Sequence, residues 1–110
     1  MNSEELLLTD ASRKKADAIK LLYETHAPSL LSLCVRYCGN IADAEDVLHD
    51  GFIKVIKHLH TFKPRENGSF AGWLKRIMVN TSLNFLRDRS REKWFLDIEP
   101  MTERISAEEE

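Results

Sequence analysis

Apolar positions recur along the chain three and four residues apart, and no stretch sustains the alternation of a half-buried strand, so the pattern predicts an all-α fold. Four helices are expected. The first starts at a Thr9-Asp10 cap and turns Ala11, Ala18, Ile19, Leu22 and Tyr23 inward. It should end before Pro28, because the residue ahead of a proline is pushed out of α geometry. Pro28 then suits the first turn of a second helix, which buries Leu30, Leu31, Cys34, Tyr37 and Cys38 and stops at Gly39-Asn40. A third, over residues 41–60, places Ile41, Ala44, Leu48, Phe52, Val55 and Leu59 on its core face. After a turn cluster at residues 63–68, Ser69 caps a fourth helix with the stripe Phe70, Trp73, Leu74, Ile77, Met78, Thr81 and Phe85, extending to about Lys93. Past Trp94-Phe95 the pattern fades into Pro100 and an acidic end. The expected architecture is a compact bundle of about four helices, a long C-terminal helix and a disordered acidic tail.

Composition narrows this picture. At 110 residues the chain suits one domain, and 43% hydrophobic against 31% charged residues is the balance of a protein that folds. No apolar run approaches the ~20 residues of a membrane span, and Glu4 and Glu5 stand where a secretory signal would carry basic residues, so a cytoplasmic protein is expected. Cys34 and Cys38, four apart in a helical pattern with no second pair, read as reduced, partly buried thiols.

The net charge of −2 conceals a segregation. Between residues 63 and 93 eight basic side chains face three acids, whereas from residue 97 onward six acids face Arg104 alone.

Once the core faces are removed, two surfaces remain. On the third helix Asp46, His49, Asp50, Ile53, Lys54 and Lys57 form one outward stripe. Two readings fit it: a solvated face whose charges complement the helix dipole, or a protein-binding face, which the apolar Ile53 among the charges favours. On the fourth helix Arg76, Asn80, Leu83, Asn84, Arg87 and Arg91 fall on one line. Arginine suits phosphates and guanine edges, and asparagine can bond adenine at two atoms. The preceding loop adds Lys63, Arg65, Asn67 and Ser69 between Phe62 and Phe70, a mixture of cations and aromatics suited to single strands, although rings at those positions fit a core role better.

Catalytic constellations are scarce. His26, His49, His58 and His60 are scattered, and His58 and His60 point about 200° apart on a helix. Asp43, Glu45, Asp46 and Asp50 suit helix capping better than a cation. Neither an enzyme nor a metal or cofactor site is expected.

The run from Ala44-Glu45-Asp46-Val47-Leu48 to Val55, the run from Ser69-Phe70-Ala71-Gly72-Trp73 to Asn80, and then Leu86-Arg87 resemble the extracytoplasmic-function (ECF) sigma factors. The stretch Leu22-Tyr23-Glu24-Thr25-His26-Ala27-Pro28 is similar as well. The resemblance implies a promoter-recognition domain over residues 1–95 and an acidic linker over 96–110. It implies that Asp46, His49, Asp50, Ile53, Lys54 and Lys57 dock on the clamp helices of the largest subunit of core RNA polymerase. It also implies that the loop bearing Lys63, Arg65, Asn67 and Ser69 captures a flipped base of the non-template strand in the melted minus-ten element. Arg76, Asn80, Asn84, Arg87 and Arg91 would contact the strand or upstream duplex, and an anti-sigma domain is a further implied partner, with no membrane or small-molecule substrate. His49 departs from the glutamine common in that family, and the family's second DNA-binding domain is absent, which favours a piece of a longer chain cut in its linker over a naturally short protein. A helical adaptor that binds only protein is the rival reading, and a helix-turn-helix duplex binder ranks below it.

Overall fold

The computed structural model describes the backbone of residues 3–109 and the side chains of residues 3–98. Five α-helices follow one another: α1 (Ser3–Ser12), α2 (Ala16–Cys38), α3 (Ile41–His58), α4 (Pro64–Asn67) and α5 (Phe70–Glu109), with a 3-10 turn at Leu59–Thr61 after α3. The described residues contain no strand, as the periodicity predicts. α2, α3 and the first half of α5 pack against one another, and α1 closes one end by lying on α2 and on the 3-10 turn.

The first expected helix is two, and the break is not at Pro28. α1 begins earlier than the Thr9-Asp10 cap, with Glu4 and Glu5 favouring its N-terminus and Ala11 fully buried near its end. It ends at Ser12, and Lys14, whose φ of 62° is left-handed, stands in the turn that leads into α2. α2 then runs unbroken through Pro28. A proline inside a helix costs about 3 kcal/mol, yet Leu22, Leu30 and Cys34 form one continuous buried stripe across it, and burying each leucine returns about 1.5–3 kcal/mol. Burial outweighs the lost hydrogen bond.

Other boundaries follow the expected chemistry. Gly39, at φ 83°, ends α2 and donates its N–H to the Val35 carbonyl at 2.8 Å. Asn40 caps α3 by accepting the Asp43 N–H at 2.8 Å. Ser69 caps α5 by accepting the Gly72 N–H at 3.1 Å.

The core is formed by Ala11, Ala18, Leu22, Leu30, Cys34, Ala44, Val47, Leu48, Phe52, Val55, Leu59, Phe70, Leu74 and Met78. Ile19, Leu31, Cys38, Trp73, Ile77 and Phe85 are partly buried against it, and three expected members are exposed: Ile41, 61% exposed at the first turn of α3, and Tyr23 and Tyr37 at the rim, Tyr23 touching Phe52 edge-on at 5.0 Å. In exchange α3 buries Val47 and Gly51, because its buried face is wider than a single 3-4 stripe. Gly51 lets α5 approach closely, since a Cβ there would lie 2.5 Å from the Met78 sulfur. Cys34 is buried and Cys38 half-buried, both are unbridged, and burial pushes both thiols up.

The segment expected to be a linker continues α5 to Glu109. Forty residues give a helix of about 60 Å, so the chain measures 73 Å along its longest axis and 25 Å across.

Candidate nucleic-acid interface

Every residue of the expected α5 line, Arg76, Asn80, Leu83, Asn84, Arg87 and Arg91, is exposed, because Leu74, Met78, Thr81 and Ser82 face the bundle. The line is partly organised by its own contacts. The Arg87 guanidinium donates to the Asn84 side-chain oxygen, and that of Arg76 donates to the backbone carbonyl of Asn67. Arg76 therefore ties the loop to α5.

The loop is more ordered than a turn cluster implies. Its centre is the single helical turn α4, and the Asn67 side chain folds back to accept the Lys63 N–H at 2.8 Å. Its two ends meet through Phe62 and Phe70, whose ring centroids are 5.3 Å apart, with Trp73 5.2 Å from Phe62. The rings thus belong to the core rather than to an open stacking platform: Phe70 is buried and Phe62 and Trp73 are half-buried. His26 of α2 completes the cluster edge-on to Phe70 at 5.5 Å, and burial pulls its imidazole below the usual histidine value against a smaller opposing pull from Glu4. Of the nine expected contact residues, Asn67, Ser69, Arg76, Asn84 and Arg87 are engaged in holding the site together. Lys63, Arg65, Asn80 and Arg91 have no side-chain partner among the described residues.

The α3 stripe is exposed throughout, but it is a ridge with two flanks rather than one face. Toward α2, His49 and Ile53 border an apolar trough of about 470 Å³ with Ile19, Tyr23, Phe52 and Ile56. A second hollow of about 560 Å³ continues it past Tyr23 and His49 to Pro28 and Leu31. Toward α5, Asp50, Lys54 and Lys57 border a groove of about 330 Å³ with Thr81, Asn84 and Asp88. The Lys54 ammonium donates to the Thr81 hydroxyl at 3.4 Å. Lys54 also lines a neighbouring hollow with His58, Thr61, Trp73 and Asn80. Lys54 and Lys57, expected on the protein-binding face, therefore stand beside the α5 asparagines.

Sequence reasoning missed the pair that fixes α5 against α3. Arg89 donates to both carboxylate oxygens of Asp43, one contact at 3.2 Å, and lies over the Phe85 ring at 4.7 Å. Hydrogen bonds from Arg89, then from Asn40, hold the Asp43 carboxyl below the usual carboxylate range. The signal was present in Arg89 falling off the 76-80-84-87-91 line. Among the described residues no group of side chains suits a metal ion, and no helix is long and apolar enough to cross a membrane.

Known proteins share this arrangement. Residues 22–92 match the family model for sigma-70 region 2. The chain is 39% identical over 70 residues to the ECF RNA polymerase sigma factor SigE of Mycolicibacterium smegmatis, covering 64% of this chain and 26% of that protein. It is 29% identical over 83 residues to the ECF RNA polymerase sigma factor SigW of Bacillus subtilis, covering 76% of this chain and 43% of that one. The chain thus spans less than half the length of these relatives, which are sigma factors and not enzymes. Among solved structures, an engineered region 2 of sigmaE in complex with GTAAAA superimposes with a TM-score of 0.72 at 29% identity, over 84% of this chain and 97% of that one. With the family match spanning most of the chain, and with α3, the loop and α5 in that family's arrangement, the protein belongs to the sigma-70 region 2 family, in its extracytoplasmic-function branch.

Proposed function

We propose that this domain joins core RNA polymerase to the melted minus-ten element of a promoter, working in the cytoplasm as one half of a sigma factor. The α2-side flank of α3 meets the polymerase clamp, and the loop at residues 63–69 with the α5 line takes the non-template strand. No bond is made or broken: binding the open strand better than the closed duplex shifts the melting equilibrium. Residues 1–95 form the working domain, and residues 96–110 form an acidic linker. An anti-sigma domain covering the apolar trough is the inhibitor this reading implies.

The observation that carries the reading is the outward line Asn80-Asn84-Arg87-Arg91, set beside a cationic loop on the fold that in sigmaE region 2 is complexed with GTAAAA. Lys63, Arg65 and Arg91 supply phosphate contacts, and the unpaired Asn80 amide supplies a base reader. The test is titration with labelled single strands and matching duplexes at low salt. Asn80→Ala and Lys63→Ala should each weaken strand binding by about 1 kcal/mol, near fivefold, and His49→Ala, on the α2 side of α3, should leave it unchanged. Absence of any strand preference, together with retained polymerase binding, would favour a protein-only adaptor that uses the trough.

A further inference from the structure

Helix α1 lies outside the segment that matches the family, which begins at residue 22. Its position is nonetheless specific. Leu7 and Leu8 pack on the core, Ala11 is fully buried, and the left-handed turn at Lys14 folds the helix back across the start of α2. The far side of α1 meets the 3-10 turn Leu59–Thr61. Between them is a cavity of about 380 Å³, lined on one wall by Leu8, Thr9 and Ser12 and on the other by Leu59, Phe62 and Pro64.

Those last residues are the root of the loop. Phe62 is its first anchor, held on one side by Phe70 and Trp73 and facing the α1 cavity on the other, and Pro64 starts α4. Without α1 the 3-10 turn would lose its support and the cavity beside Phe62 would open fully to water, leaving the Phe70 and Trp73 rings and the Arg76 tie to hold the loop. A loop that must be ordered on binding loses affinity through the entropy of ordering, whereas one held in place beforehand does not.

We propose that α1 is a positioning element for the loop at residues 63–69: it braces the 3-10 turn and Phe62 from behind, and strand affinity depends on it although none of its residues touches the strand. The affinity part rests on the strand-binding reading above; the brace itself does not.

The test uses the full chain with Leu8→Ala and the more disruptive, still uncharged Leu8→Gln. Amide hydrogen exchange is followed at Phe62, Lys63, Glu66 and Asn67, whose N–H groups bond within the loop root and α4. These amides should exchange about tenfold faster in the variants, while those of α3 and α5 keep their protection, as expected for a local opening. Strand affinity should fall several-fold in step. Equal loss of protection across α3 and α5 would make α1 an ordinary part of the core and overturn the proposal, as would unchanged loop exchange in a variant whose α1 amides have become fast. Tighter strand binding in the variants would make α1 a shield and overturn it too. If the unaltered chain binds no strand, the strand reading falls by itself and loop exchange still decides the brace.

Discussion

On its α2 side α3 sets Ile53, Ile56 and the edge of Phe52 over Ile19 and Tyr23, whereas on its α5 side it sets Asp50, Lys54 and Lys57 opposite Thr81, Asn84 and Asp88. Both flanks are grooves between two helices, and they differ in what neighbouring turns of one helix present. An apolar trough gains most from another protein's apolar side chains, because burial is the dominant gain there. A groove that sets Lys54, Lys57 and the Asn84 amide among the carboxylates of Asp50 and Asp88 is costly to desolvate against an apolar partner, and its ammonium and amide groups can bond phosphates and base edges in place of water. One helix can thus offer different chemistry on its two flanks, with Ile53 bordering both.

The comparison can be broken by removing the shape that both flanks share. Gly51→Leu would drive a branched side chain onto the buried Met78 and onto Thr81, more than the flexible end of Met78 can clear, and should destabilise the domain by about 2 kcal/mol, read from chemical denaturation. Ile53→Glu sharpens it by placing a charge in the apolar trough: affinity for core polymerase should fall at least about tenfold and strand binding by no more than about twofold, since Ile53 also borders the α5 groove, as measured by competition and titration. Lys54→Ala should act on the other flank, lowering strand affinity about threefold and reducing the salt dependence by roughly one phosphate contact, with polymerase affinity retained. The smallest effect is expected for Asp43→Asn, which loosens α5 at the N-terminal end of the α3–α5 seam. Because the folded Asp43 pKa is depressed, its contribution is present above the ordinary carboxylate value of about 4 and is lost as pH falls through the lower folded value. The melting temperatures of the wild type and the variant should therefore differ at pH 6 and converge in acid.

Most of the fold is legible in the sequence, because helical periodicity reports burial directly. Ala44, Leu48, Phe52 and Val55 were found that way, as were the Gly39 and Ser69 boundaries, whose turn and capping chemistry is local. What was illegible depended on distant parts of the chain. Pro28 marks a helix end by local rules, yet the stripe from Leu22 to Cys34 is buried by α3 and α5, and that tertiary gain is invisible to a window of a few residues. The site divides in the same way: outward residues on α5 were identified by subtraction from the core. That Lys54 borders α5 as well as the outward stripe is not legible in the sequence, because which helix flanks a given side of α3 is a property of packing, not of spacing. Asp43 and Arg89, 46 residues apart, could be paired only in three dimensions.

The unbroken run of α5 from Arg76 to Arg91 makes the helix a ruler. Fifteen residues at the helical rise of about 1.5 Å separate the backbones of those two positions by about 22 Å along the axis, comparable to the rise of six or seven stacked base pairs. A ruler of this kind has no slack. Inserting one residue between Asn84 and Arg87 would lengthen it by only about 1.5 Å, but would turn everything beyond by about 100°, carrying Arg87 and Arg91 away from the side that Asn80 marks. The spacing of cations along this helix is therefore fixed in phase far more tightly than in length.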